Sequence, residues 1–423
     1  MLIRDPIHGD LELDPIEAAV LDAPEVQRLR GIKQLGTASL VYPGCVHTRF
    51  DHSLGANALA KRILAGLKRE GLPVSADLET GVAIAALLHD ITHVPFGHTL
   101  EDERRLFPRH DKGRRFDKLL AGGLGERLDR LGVKQVVAGI LTGADDAPAW
   151  ARQIVSSTID ADLLDYLRRD SYFAGLAQSY DDRIFRYFQV VDGQLALDMT
   201  KHGMERPDAR SETVQLLRMR YFLTERVYYH HTKVAAGAMI SKAVEMAHEH
   251  GSMSEDELLV LNDWNLIERL RLVRDESGPD GRIVRLIERL EHRELLKRGY
   301  VISAATVPEE SRRTLVARFH ESATNRREAE AYLAAATGCS PAEVIVYCPA
   351  LTVMKEAAAL VRLPSGLAPL NDPQGYSNAE IQALEARYAQ LWRLYVFVPD
   401  DHAAAAAGPA AEIFGYPSEH RAR

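Results

Sequence analysis

Cysteine is scarce in this 423-residue chain. Its three cysteines, Cys45, Cys339 and Cys348, form no C-x-x-C pair. That excludes a disulfide framework and a thiolate metal cluster, and it fits a reducing cytoplasm. Long apolar runs are also missing, since none approaches the roughly 20 residues that span a bilayer. The opening stretch from Met1 to Asp10 carries charges and lacks the apolar centre of a signal peptide. Positive charge is in deficit: 52 Lys and Arg against 60 Asp and Glu leave a formal net charge of −8. This argues against general nucleic-acid binding but permits a local basic pocket for phosphates. The expected setting is cytoplasmic, without a membrane partner.

What is present is an ordinary globular composition, 46% apolar and 26% charged, on a chain long enough for two or three domains. Residues 1–14 alternate around Pro6 and Gly9 and read as a small strand or hairpin. The pattern is then mostly helical to about Met246. Leu59, Ile63 and Leu67 recur every fourth residue and mark one buried stripe, which Gly71-Leu72-Pro73 stops. Further helices are predicted over 78–90, roughly 152–170 and about 209–247, with an Asp192-Gly193 hairpin turn between the last two. Residues 248–298 read as a helical extension. Three β-rich runs with helices between them make 299–400 a small α/β domain, and the alanine-rich 401–423 is expected to be a loose tail. There is no internal repeat.

The chemistry concentrates at the end of one apolar run. Val82 to Leu88 leads straight into His89-Asp90, and a carboxylate in an apolar setting needs a partner or a metal. His52 precedes it in Arg49-Phe50-Asp51-His52-Ser53-Leu54-Gly55, and Asp162 follows in Asp160-Ala161-Asp162-Leu163-Leu164-Asp165-Tyr166. Histidine and carboxylate without cysteine suit Zn, Fe, Mn or Ni. Three helices converging on one ion make a bundle-core site. A second group comprises His93, His98, Glu101 and His110. His93 falls one helical turn after His89, and Pro95 then forces a turn or kink. Histidine suits proton donation and water orientation, although His98 and His110 read equally well as surface groups. Arg49, Arg168, Arg169, Arg226 and Lys233 are the candidate phosphate cations, and Tyr228-Tyr229-His230-His231-Thr232-Lys233 is dense in polar aromatics.

In order, His52, His89-Asp90 and Asp162 resemble the metal-ligand signature of the HD-domain phosphohydrolases. Ile3-Arg4-Asp5-Pro6-Ile7-His8-Gly9, the stretch from Gln27 to Gly36, Tyr42-Pro43-Gly44 and Arg49 to Gly55 are similar to the deoxynucleoside-triphosphate triphosphohydrolase branch. Asp165-Tyr166 and Arg169-Asp170 continue the likeness, which covers about residues 1–245. The resemblance implies a mainly α fold, an HD-domain helical bundle over 1–247 with a small C-terminal α/β domain. It implies that His52, His89, Asp90 and Asp162 hold the metal and that Arg49 touches phosphate. His93, Glu101 and His110 would serve the attacking water and the leaving group. Gln34 and Leu35 would meet the sugar edge, Tyr166 would close on the 2′ carbon, and Asp170 would bind the 3′ hydroxyl.

Two departures stand out. Leu163 occupies a position where the family often has a phosphate-binding cation, and Thr92 replaces the glycine of His-Asp-x-Gly-His-x-Pro-Phe. The resulting expectation is a metal-dependent hydrolase that splits deoxynucleoside triphosphates into nucleoside and triphosphate, with Mg accompanying the substrate phosphates and a homo-oligomeric assembly. The alternatives are a phosphatase or phosphodiesterase on another nucleotide, an HD-fold di-iron oxygenase, and a non-catalytic nucleotide sensor.

Overall fold

The structure, a computed structural model, describes residues 1–109, 114–143, 147–273, 281–372 and 378–421. The chain opens with the expected hairpin: β1 (Leu2–Asp5) and β2 (Gly9–Glu12) pair antiparallel, with Asp5 opposite Gly9. Helices α1 (Pro15–Leu21) and α2 (Pro24–Gln27) lead to the long α3 (Arg49–Arg69). Thr48 and Asp51 cap α3 reciprocally, each side chain bonding the other's backbone N–H. Leu59, Ile63 and Leu67 are buried as their spacing predicts, and the helix ends before Gly71, whose φ is +94°. Helix α4 (Ala76–Leu88) starts at the Ser75 cap and is buried throughout from Gly81 to Leu88. The short helices α5 (Arg115–Ala121), α6 (Gly123–Arg130) and α7 (Lys134–Thr142) complete this flank.

Two long helices predicted from sequence are each broken in the structure. In place of one helix over 152–170 there are α8 (Ala149–Val155) and α9 (Ala161–Phe173). The Ser156-Ser157-Thr158 run between them favours turns, and Asp160 spends its carboxylate capping α9 at Leu163 N. In place of one helix over 209–247 there are α10 (Pro207–Leu223) and α11 (His231–Glu249). A π-helical turn at Thr224–Tyr228 separates them, and the His230 ring caps α11. The hairpin of β3 (Phe188–Val191) and β4 (Gln194–Asp198) turns at Asp192 and Gly193, both left-handed, as the Asp-Gly pair predicts. A two-residue pair, β5 (Thr200–Lys201) with β6 (Met204–Glu205), follows it.

Helices α12 (Glu255–Leu258), α13 (Asp263–Arg271) and α14 (Arg282–Glu291) form the extension. The C-terminal sheet is antiparallel, with β11 (Arg393–Val398) between β7 (Lys297–Ser303) and β8 (Ile345–Tyr347). Helices α15 (Glu309–Leu315) and α16 (Ala323–Thr337) pack on it through Leu315, Ala329 and Leu333. The α/β stretch is not self-contained. Strands β9 (Leu360–Leu363) and β10 (Gly366–Pro369) leave it to extend the β3–β4 hairpin into a four-stranded sheet, and α17 (Ala379–Ala389) packs on α10. The expected loose tail is instead a helix, α18 (Ala403–Phe414). Alanine is the strongest helix former, and Ala403, Ala406, Ala410 and Phe414 form a buried stripe against the sheet. Gly299 makes room, since a Cβ there would lie 2.7 Å from that of Ala406. Among the described residues no helix is long and apolar enough to cross a membrane.

The contact that positions the site is between α3 and α9. Gly55 faces α9 so closely that a Cβ would sit 1.9 Å from Asp165 Oδ1 and 2.5 Å from Arg169 Nη2. Gly55→Ala should therefore destabilise the fold by about 1–3 kcal/mol through overpacking. Denaturant midpoints measure this, and a midpoint equal to wild type would contradict the contact.

Candidate active site

Three elements bring the predicted ligands together. His52 lies on α3, His89 caps the end of α4, and Asp162 opens α9. One ligand atom from each falls within a group whose members are all within 4.8 Å of one another. His52 Nε2 stands 3.2 Å from His89 Nε2 and 2.9 Å from Asp162 Oδ1, and His89 Nε2 is 3.7 Å from Asp162 Oδ1. Asp90 is set beside them, 3.8 Å from His52 and 3.6 Å from His89, with one oxygen given to Arg49 Nη1. Arg49 thus reaches the pocket, as its spacing from His52 suggests, and its enclosed Nε has no hydrogen-bond partner among the described residues.

Both imidazoles are oriented from behind. Asp165 Oδ2 takes His52 Nδ1 at 2.7 Å, and Ala86 O takes His89 Nδ1 at 2.8 Å, so both Nε2 atoms turn to the shared space. Asp165 is itself held by Arg169 Nε at 2.8 Å and Nη2 at 3.0 Å and by His8 Nε2 at 2.6 Å, while Arg169 Nη1 reaches Asp5 at 2.8 Å. Burial disfavours charge on His52, yet its bonds to Asp162 and Asp165 outweigh that and push its pKa up to about 10. Burial likewise opposes ionisation of Asp90, but Arg49, His93 and His89 hold its carboxyl well below the usual range. The cradle rewards positive charge at its centre. Two imidazole nitrogens and a carboxylate oxygen, each fixed from behind, fit a mid-row divalent ion.

The second group also assembles, though not as a helix would place it. Helix α4 ends at Leu88, so His93 sits on a turn closed by its own N–H to Asp90 O, not on the face of His89. Arg28 grips the carbonyls of Ile91 and His93 at 2.9 and 2.8 Å. His93 Nε2 is 3.1 Å from Asp90 Oδ1. The chain then kinks at Pro95, and Phe96 and Gly97 are left-handed. A side chain at Gly97 would meet Arg49 Nη2 at 2.6 Å. His93, His98 and Glu101 converge within 4.8 Å, with the His93 and His98 rings edge to face. Glu101 is buried against Arg115 Nη1 at 2.5 Å. His110 lies outside the described residues. Thr92 is tolerated where a glycine is usual because its φ is not left-handed.

Along α9, Asp162, Tyr166 and Asp170 occupy successive turns of one face. Asp170 takes His47 Nε2 at 2.9 Å and the Tyr228 hydroxyl at 2.6 Å. The Arg220 guanidinium lies over both Tyr166 and Tyr228, at 5.3 and 5.1 Å from the ring centres. Gln34 binds His47 O through its backbone, and its enclosed Oε1 has no hydrogen-bond partner among the described residues. Leu35 is buried in the adjoining core.

Other candidate cations serve elsewhere. Arg169 is a buried counter-ion, Arg168 pairs with Asp182, and Arg226 stacks on Phe222. Lys233 is enclosed near Glu103, and burial lowers its pKa. Leu163 is core. Sequence reasoning missed the roles of Asp165, Arg169 and His8. The four-residue spacing of Asp165 and Arg169 on one helix was a usable signal; Arg28, Arg115 and Arg220 left none.

An HD domain model matches residues 49–170, and an HD associated region model matches residues 181–423. An uncharacterised protein of Methanocaldococcus jannaschii is 33% identical over 305 residues, covering 70% of this chain and 58% of that protein. Bovine deoxynucleoside triphosphate triphosphohydrolase SAMHD1 is 31% identical over 286 residues, 59% of this chain and 48% of the enzyme. The chain thus spans about half the length of these curated relatives. A phosphohydrolase crystal structure from Bacteroides thetaiotaomicron superposes with a TM-score of 0.69 at 23% identity, over 94% of this chain and 99% of that one, and so shares the fold.

Two outcomes check the cradle. Asp165→Asn should weaken metal binding by about 10–100-fold, the usual cost of losing a partner behind a ligand, while Asp90→Ala should empty the site. Elemental analysis with chelator competition reads both, and full retention of metal in Asp90→Ala rejects that ligand. Because protons compete for His52 up to about pH 10, apparent metal affinity should rise with pH through neutrality.

Proposed function

The chain belongs to the HD-domain phosphohydrolase family, and from that premise we propose that it hydrolyses deoxynucleoside triphosphates to deoxynucleoside and triphosphate. The observation that carries this reading is the α9 face. Asp162, Tyr166 and Asp170 follow at four-residue steps, each roughly 6 Å along the axis. A ligand lying along this face would have its phosphate at the cradle and its sugar between Tyr166 and Asp170. The partnerless Oε1 of Gln34 supports a sugar-hydroxyl donor at that end.

His52, His89 and Asp162 would hold the ion, with Asp90 as fourth ligand. Zn, Fe, Mn or Ni fits this donor set, and Mg would accompany the outer phosphates. When bound, the ion supplies Lewis acidity, drawing charge off a phosphoryl oxygen and making water more acidic. Arg49 directs its free Nε–H toward phosphate oxygen. Water attacks the α-phosphorus, the bond from phosphorus to the 5′ oxygen breaks, and the proton released by the water passes to solvent or a carboxylate. His98 delivers the proton that the departing 5′ oxygen needs. Its ring is 45% exposed and lies 3.6 Å from the buried Glu101. His93 behind it orients the water through Asp90, and His110 is assigned to the same group. Tyr166 fills the space that a 2′ hydroxyl would need. A cytoplasmic homo-oligomer is the expected setting, and the three cysteines are free thiols.

Leu163 favours a second reading. With no cation at that position, a nucleotide carrying fewer phosphates suits the pocket, as in a phosphatase or phosphodiesterase. Product analysis across matched nucleotide pairs separates the two. Deoxynucleotides should exceed ribonucleotides in kcat/KM, and Tyr166→Ala should shrink that ratio; equal wild-type rates reject the sugar gate. His98→Gln should retain metal and lose about 10²–10⁴-fold in kcat, the usual worth of general acid–base catalysis. Metal loss in that variant would place His98 among the ligands and point to a second ion.

A further inference from the structure

A buried ion network outside the site ties it to the C-terminal unit. Arg104 follows the π-helical turn Thr99–Glu103, which carries Glu101, and only 3% of it is exposed. Its guanidinium forks onto Glu330 of α16 at 2.8 and 3.1 Å and also pairs with Glu245 of α11. Glu330 takes Lys242 Nζ at 2.6 Å and the backbone N–H of Val346 in β8 at 3.0 Å. Arg326 bonds the Arg104 carbonyl at 3.0 Å and Glu245 at 3.3 Å. Three cations and two carboxylates share one compartment closed to water.

Stability alone does not explain such a cluster, because apolar residues in its place are often as stabilising. What an arginine fork does fix is distance and orientation. The chain here needs fixing. Arg105 has a φ of +52°, a conformation that contacts must impose on a residue other than glycine. Gly237 of α11 lets the turn seat closely, since a Cβ there would lie 2.8 Å from Glu103 Oε1 and 3.2 Å from Thr99 Cγ2.

We propose that Glu330, acting through Arg104, is a positioning residue for hydrolysis: the C-terminal α/β unit holds the Thr99–Glu103 turn where it presents His98 and Glu101 to the leaving group. This rests on the hydrolase reading above. Burial opposes charge on Glu330, but Arg104 and Lys242 prevail and keep its pKa down at about 2, so the fork stays charged across the working pH range.

The full chain, loaded with metal, carries the test. Glu330→Gln keeps the shape and removes the charge. Its kcat for the preferred deoxynucleotide should fall by about 10²-fold with KM and metal content unchanged, as for a misplaced catalytic group. Hydrogen exchange in peptides covering 97–106 should speed by roughly tenfold or more, with α3 and α4 unchanged. Glu330→Asp, which keeps the charge, should recover part of both. Arg327→Ala on the exposed side of α16 should move neither. Arg104→Lys, which loses the fork but not the charge, should repeat the shift if Glu330→Gln fails to fold. Unchanged exchange at 97–106, faster exchange throughout α3 and α4, or metal loss alongside kcat overturns the proposal. Exchange needs no turnover. If the wild type cleaves no deoxynucleotide, the deoxynucleotide reading fails by itself, and the exchange result still decides whether Glu330 holds the turn.

Discussion

Asp165 carries a full negative charge where no water reaches it, and the geometry of the cradle depends on how that charge is balanced. A carboxylate in such a place needs a complete set of partners. It has two contacts from Arg169, one from His8 and one from His52. Asp5 shares Arg169, so two carboxylates face one guanidinium and part of the charge on Asp165 is left for its two histidines. That charge is directed at His52 Nδ1, which fixes the tautomer and turns Nε2 to the ligand space. The N-terminal hairpin is therefore part of the site: it supplies both Asp5 and His8. Gly55 is part of it too, because no larger residue lets α3 approach this cluster.

From this anchor the remaining chemistry is laid out by one helix and one kinked loop. Helix α9 sets Asp162, Tyr166 and Asp170 in line along one face. The loop from Ile91 to Arg104 has one π-helical turn, Thr99–Glu103, and arginines hold it at several points. Arg28 gathers its start, Arg115 holds Glu101, and Arg104 anchors its end. Each of these guanidiniums bonds carbonyls or carboxylates in fixed planes, so a segment with little regular structure is still held in place. The C-terminal unit joins in the same way. Phe397 and Tyr395 of β11 lie in one hydrophobic cluster with Leu100 of the loop, Phe107 just after it, and α11, α13 and α14. Units that look separate in composition thus share a core.

The breaks in the long helices show where local signals lose to tertiary ones. Periodicity carries across Ser156–Asp160 and across Tyr228–His230, so sequence reads one helix in each place. The structure ends α8 early because Asp160 does more as a cap for α9 than as a helical residue. It widens α10 into a π-turn, and Tyr228 at the end of that turn gives its hydroxyl to Asp170 and its ring to Arg220. The alanine tail errs the other way. Low complexity suggests looseness, but alanine's helix propensity combined with a small-residue stripe docks α18 on the sheet.

The sequence by itself determined the types of the candidate ligands and their order. Histidine and aspartate beside apolar runs can be read as a metal pair, because an unpartnered buried carboxylate is too costly to persist. It also determined the helical stripe of α3, the Asp-Gly hairpin and the family, since these depend on neighbours in the chain or on motifs carried by contiguous residues. Only the tertiary structure decided what stands behind the ligands. Asp165 meets His8 across 157 positions, and Arg104 meets Glu330 across 226. Such pairs leave no trace in spacing or periodicity. Charges far apart in sequence become partners only when folding removes the water that would otherwise screen them, and that removal is a property of the packed molecule.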